Sequence, residues 1–396
     1  MEVTRDTTQS CSGGLAALAA SLASRLADDN ADSNLILGVL GAPSRAALDE
    51  FLSRVAEDAL EDHSESGGPR VAFACGVWTD LTCPLKPAYR HAAASTYKAD
   101  ASTVDFRNNP EAARGQINAW VAQVKRKLIG SVLGPGSITP LTRAVLGNAI
   151  YFKGKWEKPF RKKRTADKLF HRLDGRTVDV PFMQSRSSQF IAVHKGFKVI
   201  RLSIHRLALA GHTDALHLAN MLTGRRADRD KRAQFSMCVF LPDAFNGLPG
   251  LVDAIASQPG FRHKHLPKEK IHVREFRVPK FKLSFHRSVV TIINKLGLRL
   301  PFSDQADLSD MVEGDGSGLP LVLSDIIHKA VIEVNEEGTE ATAVTLMDME
   351  IGCSRIPPPP PPRVDFVADH LFAYFIVEEA IGAVVFVGHV LDPSAL

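Results

Sequence analysis

The first third of the chain has its hydrophobic positions at helical spacing. Apolar stripes begin at Leu15 and at Leu48, and a third follows Pro110, where a proline at the first helical position removes no hydrogen bond. The third stripe consists of Ile117, Trp120, Val121, Val124 and Leu128. These three segments are predicted to be amphipathic helices.

From about residue 143 onward the hydrophobic period shifts toward two, which is typical of strands. The predicted strands are Ala144–Tyr151, Phe235–Leu241, Val273–Phe285 and Val384–Val390. In the third of them the apolar residues change parity at Pro279 and Lys280, which predicts a bulge or a sheet edge there. Because strands and helices do not alternate strictly, the pattern favours an α+β fold over a doubly wound one.

Two segments follow neither period. Residues 203–232 contain several histidines and end in a run of charged residues, which predicts an inserted loop. Residues 357–362 are consecutive prolines, which adopt an extended polyproline conformation and cannot join the interior of a sheet. The proline run is therefore predicted to be a stiff spacer.

Composition narrows the function classes only a little. The 396 residues, 45% of them hydrophobic, can bury a large core in one large domain or in two to three ordinary ones. The formal net charge of +4 gives little reason to expect nucleic acid as the main partner. The N-terminus has no secretory signal pattern and no apolar run reaches the length of a membrane span, so we expect a cytoplasmic protein without a membrane partner.

The five cysteines are odd in number, widely spread and without a Cys-x-x-Cys pair, so neither a disulfide framework nor a zinc site is predicted. Cys353 differs from the others because it lies in a predicted exposed loop near Arg355, and exposure beside a cation favours the thiolate. A reactive thiol at Cys353 is therefore an alternative interpretation. The other four cysteines are expected to be small core residues.

Motifs of the common enzyme classes are missing, among them Gly-x-Ser-x-Gly and His-Glu-x-x-His, so no catalytic residue is predicted. His263, His265 and His272 lie among lysines that repel cations, which favours a solvated basic surface over a metal site. The basic run Arg161–Arg164 could bind a polyanion, although such runs are more often solvated faces. We predict neither a metal nor a cofactor.

The most informative pattern runs from His328 to Thr345. A strand passes through Gly338 into a run of small and β-branched residues. In an extended conformation one face consists of Thr339, Ala341, Ala343 and Thr345. The opposite face consists of Glu340, Thr342 and Val344. This segment can enter a sheet without burying a charge or a bulky group, although a plain edge strand would tolerate the same residues.

Several motifs occur beside this segment, in an order that covers most of the chain. They are Asn118-Ala-Trp-Val121, Leu146-Gly-Asn-Ala-Ile-Tyr-Phe-Lys-Gly-Lys-Trp-Glu-Lys-Pro-Phe160, Val180-Pro-Phe-Met183, Pro279-Lys-Phe-Lys-Leu-Ser-Phe285, Asp365-Phe-Val-Ala-Asp-His370 and Gly388-His-Val-Leu-Asp-Pro393. Together with the segment ending at Thr345 they resemble the serpin family, and its plant type in particular. The resemblance implies one domain over residues 1–396, with three β-sheets, about eight to nine helices and an exposed reactive-centre loop at about 336–364.

The resemblance also implies a function. In this family a protease cuts the reactive-centre loop, which then inserts into the large sheet as a new strand and carries the acylated enzyme with it. We therefore expect a monomeric, non-enzymatic inhibitor of serine proteases, or also of cysteine proteases, whose partner is the target protease. The alternative is a non-inhibitory serpin that acts as a binding or storage protein. As for many serpins, an extracellular location stays open.

Site residues follow from the resemblance position by position. The hinge would extend from Glu337 to Thr345, and counting from its glycine, Gly338, places the cleaved bond between Gly352 and Cys353. Counting back from the proline run points instead to Ser354 or Arg355. Gly352 would suit a protease with a small primary pocket, whereas Arg355 would suit a trypsin-like one.

Three further residues resemble the parts of the family fold that open the sheet. Asn148 and His328 resemble a hydrogen-bonded pair beneath the opening sheet, and Trp156 resembles the aromatic residue where insertion begins. The chain departs from the family pattern near residues 38–43, where a helix and its serines are missing, and at Leu371, where a proline is usual. We expect Asn148 and His328 to need other partners, and the departures to affect activity more than fold.

Overall fold

The computed structural model describes residues 53, 55–64, 68–124, 131–204, 234–258, 260–295, 299–314, 321–337, 364–379 and 382–394. The predicted helix at Leu15, most of the stripe that begins at Leu48, the missing helix near residues 38–43 and the proline run lie outside the described residues. So do the hinge from Gly338 onward and nearly all of the predicted insertion at 203–232.

The described helices begin with α1, Pro87–Tyr97, and α2, Pro110–Val124. They continue with α3, Leu248–Ser257, α4, Phe261–His265, and α5, Val290–Lys295. A π-helical turn covers Val55–Ala59, and 3₁₀ turns cover Lys162–Arg164 and Leu300–Phe302. The prediction for α2 is confirmed, because the helix begins at the proline and buries Ile117 and Val121 of the predicted stripe. No helix in the described part of the chain is both long and apolar enough to span a membrane.

The large sheet, sheet A, has the strand order β11-β12-β3-β1-β2. Its strands are β1, Arg70–Asp80, β2, Ala99–Val104, β3, Ala144–Lys153, β11, Phe281–Ser288, and β12, Asp325–Val334. Strand β3 is buried along nearly its whole length because sheet B covers one face of sheet A and α2 covers the other. A strand buried on both faces shows a nearly continuous apolar run, which is the pattern found from Ala144 onward.

The remaining strands form two sheets. Sheet B has the order β15-β14-β8-β7-β6-β9 and sheet C the order β13-β10-β5-β4. The strands of sheet B are β6, Gln189–His194, β7, Phe197–Ser203, β8, Phe235–Pro242, β9, Lys270–Ile271, β14, Phe372–Glu378, and β15, Val384–Val390. The strands of sheet C are β4, Ala166–His171, β5, Thr177–Gln184, β10, Val273–Pro279, and β13, Val364–Val367.

One strand prediction is wrong in an informative way. The segment Val273–Phe285 is not one strand with a bulge or an edge, because β10 belongs to sheet C and β11 to sheet A. Phe276 pairs with Phe366 of β13 in sheet C, whereas Phe281 pairs with Val334 of β12 in sheet A after the chain has changed sheets at Lys280, and both rings are buried in the same core. The parity change therefore marks a transfer between sheets.

Aromatic rings join the layers. Phe152 of β3 packs against Phe235 of β8 and Phe386 of β15, at ring-centroid distances of 5.8 and 5.7 Å. On the opposite face of sheet A, Trp78 meets Trp120 of α2 edge to face at 5.1 Å. The ring of Trp78 lies over Gly76, where an added Cβ atom would come within 2.3 Å of it. Glycine is required there by space, since its own φ angle is ordinary.

Candidate functional site

The site suggested by the sequence is the seam between β3 and β12 in the middle of sheet A. The two strands run parallel and pair without interruption from Val145 with Asp325 to Lys153 with Glu333. The sheet therefore is closed here, with every residue of the seam paired. Any new strand entering at this place has to separate these two.

Asn148 and His328 lie opposite each other halfway along the seam. His328 Nδ1 lies 3.0 Å from Asn148 Oδ1, and both side chains are only 1% exposed. Burial lowers the pKa of His328 to about 4, so the imidazole is neutral at neutral pH and Nδ1 carries the proton that it donates. The hydrogen bond implied by the resemblance is thus present, whereas a role of the pair in sheet opening stays a prediction.

The second ring nitrogen of His328 is relevant to the serines that are missing near residues 38–43. Nε2 is buried, and no residue that the structure describes offers it a hydrogen-bond partner. A buried polar atom without a partner weakens the native state, because it loses its bonds to water on folding. The expectation that the departure near residues 38–43 leaves polar groups here in need of other partners stays a prediction, because that segment lies outside the described residues.

A short segment after α2 lies across the seam. His286 Nε2 of β11 lies 2.6 Å from the carbonyl oxygen of Val132, and Lys329 Nζ of β12 donates to that of Ser131 at 2.9 Å. From the other side, Asn118 Oδ1 of α2 accepts the backbone N–H of Val132 at 2.8 Å. Strands on the far side of the seam are therefore tied to α2 through residues 131–133.

The end of the seam that precedes the hinge is closed by a second set of contacts. Trp156 Nε1 donates to the carbonyl oxygen of Asn335 at 2.7 Å, and the backbone N–H of Phe160 donates to that of Glu336 at 2.8 Å. Lys280 Nζ forms an ion pair of 3.0 Å with Glu336, whose side chain is 8% exposed. Burial opposes ionisation of Glu336, but hydrogen bonds led by that from Lys280 outweigh it and hold its pKa below the usual value.

Further charged contacts surround the same end. Lys153 pairs with Glu333 at 2.9 Å, and Lys162 forms an ion pair with Glu337, the single residue of the predicted hinge that the structure describes. Sequence reasoning missed Lys280, Glu333 and Glu336. Charged residues at the end of an otherwise apolar strand were the available signal, but their partners lie far away in the chain.

Sheet C borders this end and holds the strand that follows the proline run. Arg274 of β10 binds both carboxylate oxygens of Asp365 in β13 through Nε, at 3.0 and 3.1 Å, and through Nη2. The backbone N–H of Glu275 adds a further bond to the same carboxylate at 3.1 Å. Asp365, the first residue of the resemblance motif Asp365–His370, therefore fixes β13 to its neighbour.

The remaining predicted residues are dispersed or outside the described part. Gly338 to Thr345, Gly352, Cys353, Ser354 and Arg355 lie outside the described residues. The three candidate metal-binding histidines are engaged separately: His263 with Arg262, His265 with the carbonyl of Phe261 and His272 with Ser188. Cys75 and Cys238 are buried, as expected for core residues, and burial raises their pKa to about 12 and about 11.

A three-sheet α+β fold with a parallel, fully closed seam in its large sheet, followed directly by a hinge-like segment, is the architecture of a serpin. The chain belongs to this family, since a family model described as "Serpin (serine protease inhibitor)" matches residues 16–393.

The chain is similar to plant proteins. Serpin-Z8 of Oryza sativa subsp. japonica is 51% identical over 416 aligned positions, covering 97% of this chain and 96% of the relative. Serpin-Z2A from the same plant is 43% identical and covers 97% of each. Among solved structures, "Structure of Arabidopsis AtSerpin1. Native Stressed Conformation" matches with a TM-score of 0.83 and 33% identity, over 99% of this chain and 94% of that one. The resemblance to the plant type is confirmed.

Proposed function

We propose that the protein inhibits serine proteases by a single-use trap, in which the cleaved reactive-centre loop inserts between β3 and β12. The observation that carries this proposal is the closed parallel seam between β3 and β12. Strand β12 continues through Glu337 into the small-residue hinge. A chain that turns back after Glu337 runs antiparallel to both β3 and β12. It can therefore form ladder hydrogen bonds on both of its sides at once.

The length of the seam sets how far the loop can enter. β3 and β12 contain 10 residues each, which at about 3.3 Å per residue corresponds to a strand of about 33 Å. A strand of this length, together with a few residues at each end, accommodates the segment from the hinge to the cleaved bond. The covalently attached protease is then drawn along the sheet.

The energetics favour a role for packing. Each new hydrogen bond contributes about 0.5 to 1.5 kcal/mol net, whereas ordering the backbone costs about 1 to 2 kcal/mol per residue, so these two terms nearly cancel. The remaining driving force comes from burying the inward face of the loop in the sheet. Small inward residues such as Ala341 and Ala343 make this burial compatible with the dense core on that side.

The covalent step belongs to the target enzyme. Its serine oxygen adds to the carbonyl of the residue before the cleaved bond, which is Gly352 when the bond is counted from Gly338, and the peptide bond to Cys353 breaks with release of a free amine. The ester persists because the enzyme's triad is distorted once the loop has been inserted. The inhibitor provides the substrate loop and the conformational change, while the catalytic groups are those of the protease. Cleavage after Arg355 would direct the same mechanism to trypsin-like enzymes.

An electrophoretic assay tests the proposal. The protein is incubated with elastase-like, subtilisin-like, trypsin-like and papain-like proteases, and at least one should give a complex that survives denaturing electrophoresis. Mass spectrometry of the released fragment identifies the cleaved bond. Cleavage of the loop by all four enzymes without any stable complex would contradict the proposal.

A matched pair of hinge variants sharpens the test. Ala343→Arg places a charge on the face that would be buried, which carries a large desolvation penalty, so it should convert the protein into a substrate. Val344→Arg places the same charge on the opposite face and should retain complex formation. Equal behaviour of the two variants would show that insertion does not depend on the inward face.

The second candidate is a non-inhibitory binding or storage protein, and the departure from the family pattern near residues 38–43 favours it. A sheet whose supporting segment departs from that pattern can lack the stored free energy that insertion needs. This candidate predicts that a cut in the loop leaves the melting temperature nearly unchanged. A large rise in melting temperature after cleavage would exclude it.

A further inference from the structure

A cavity of about 110 Å³ lies beside the end of the seam that precedes the hinge. Residues 156–161 and Arg164 form one wall, the connection between β5 and β6 forms the second, and β7 with Lys270 closes the third. Trp156 and Phe160, which hold the last residues before the hinge, are part of the first wall. The cavity is therefore adjacent to the proposed insertion site but separate from the seam itself.

The lining is strongly cationic. Lys158, Arg161, Arg164, Arg201 and Lys270 contribute positive charge, and Glu157 is the one acidic residue of the lining. Acidic and basic residues are almost balanced in the chain as a whole, which has a formal net charge of +4. An excess of this kind around one small cavity produces a positive potential that attracts anions.

The cations of the cavity have few anionic partners. Within the described ranges Arg201 has an ion pair, to Glu379 at 3.6 Å, while its buried Nε finds no hydrogen-bond acceptor. No carboxylate of the described residues pairs with Lys158, Arg161, Arg164 or Lys270. Arg201 and Lys270 also both approach the ring of Phe190, at 4.4 and 5.0 Å from its centroid. Cations gathered in this way repel one another unless an anion lies between them.

The basic run singled out in the sequence is divided by the structure. Arg161 and Arg164 line the cavity, whereas Lys162 pairs with Glu337 and Lys163 is not part of the lining. Polar groups add to the lining: Ser185 Oγ accepts from Gln189 Nε2 at 3.0 Å and from the backbone N–H of Ser187 at 3.2 Å. Its own O–H is left to donate.

We propose that this cavity binds a tetrahedral oxyanion, either a free phosphate or sulfate ion or the same group attached to a sugar. The volume is well below the roughly 300 to 1,000 Å³ of sites for drug-sized ligands, so it suits one compact charged group. Guanidinium groups bind such oxygens through paired, charge-assisted hydrogen bonds, for which two arginines on one short turn are well suited.

Occupancy has a consequence that rests on the proposed inhibitory function. An anion bound to Lys158 and Arg161 holds the wall that contains Trp156 and Phe160, and these two residues fix Asn335 and Glu336 at the start of the hinge. The bound anion should therefore slow loop insertion. Reciprocally, the form with an inserted loop should bind the anion less tightly than the native form, because coupling between two sites acts in both directions.

Binding is measured on the uncleaved protein without any protease, so this test is independent of inhibition. Inorganic phosphate, sodium sulfate and glucose 6-phosphate are titrated by calorimetry and by tryptophan fluorescence, for which Trp156 lies in the lining. The double variant Arg161→Gln/Arg164→Gln should lose affinity by about tenfold or more, whereas Lys163→Gln on the same turn should stay within about twofold. Thermal unfolding verifies that the variants are folded.

The outcomes are distinct. Tighter binding of glucose 6-phosphate than of phosphate assigns the site to a group attached to a sugar, and equal binding assigns it to the free ion. The proposal is overturned if no anion binds the wild-type protein at millimolar concentration. It is equally overturned if Lys163→Gln weakens binding as much as the double variant, since the effect then reflects only the general charge of the surface.

Discussion

The hydrogen bond from Lys329 Nζ to the carbonyl oxygen of Ser131 joins β12 to the segment that Asn118 fixes to α2. Since β12 has to move away from β3 for a new strand to enter, this bond holds the sheet in its closed form. Lys329→Met removes the ammonium group but keeps an unbranched side chain of similar length to pack along the sheet. We therefore expect the variant to be less stable in the native state and faster in loop insertion.

The size of the effect follows from the geometry. A hydrogen bond from a charged donor contributes about 1.5 to 3 kcal/mol when it is buried, and the partial exposure of Lys329 reduces this to about 1 kcal/mol. If the bond is broken in the transition state for sheet opening, insertion becomes about fivefold faster. The neighbouring bond from His286 to Val132 remains and limits the gain.

Two measurements check this reasoning. The limiting rate of protease inactivation at saturating inhibitor reports insertion, and denaturant unfolding of the uncleaved protein reports native stability. Lys168→Met, which changes an exposed lysine of β4 in sheet C, serves as the control. An unchanged limiting rate together with unchanged stability in Lys329→Met would refute the role of this contact, as would an equal change in the control.

Two further predictions concern stability. Burial lowers the pKa of His328 from 6.5 to about 4, so the folded protein binds a proton at this residue less readily than the unfolded chain does. The free energy of unfolding should therefore keep its full value above pH 6.5 and decrease by up to about 3 kcal/mol as the pH falls toward 4. Thermal unfolding between pH 7 and pH 4.5 should show this loss in the wild type and a smaller one in His328→Gln; parallel curves would contradict it. Gly76→Ala forces a Cβ atom into the ring of Trp78 and should destabilise the protein by about 1 to 3 kcal/mol, whereas Gly115→Ala, in an open position of α2, should stabilise it by up to about 1 kcal/mol. Urea unfolding of both variants checks the contrast, and a stable Gly76→Ala would show that the ring can move aside.

The local sequence was sufficient to predict segments that are buried on one face or on both faces along their length. α2 was predictable because its proline start and apolar stripe agree, and Ala144–Lys153 because a strand covered on both faces has to be apolar throughout. The parity change at Lys280 was visible too. Its meaning was not, because a bulge and a transfer between sheets leave the same local pattern.

Pairing across the chain needed the tertiary structure. Asn148 and His328 are 180 positions apart, and it was the family resemblance, rather than any periodicity, that brought them together before the structure did. Nothing in the local sequence around Lys280 indicates that its ammonium group meets Glu336, and the basic run after Trp156 gives no sign that two of its members line a cavity while a third pairs with Glu337.

The sequence by itself therefore determined the class of fold, the positions of several strands and a segment whose small residues would allow it to enter a sheet. The tertiary structure decided which strands that segment would separate and which contacts keep them closed. The physical reason is that periodicity records only whether a residue faces the core or the solvent. Hydrogen bonds and ion pairs depend on register and distance between elements, and these are set by how the sheets pack as a whole.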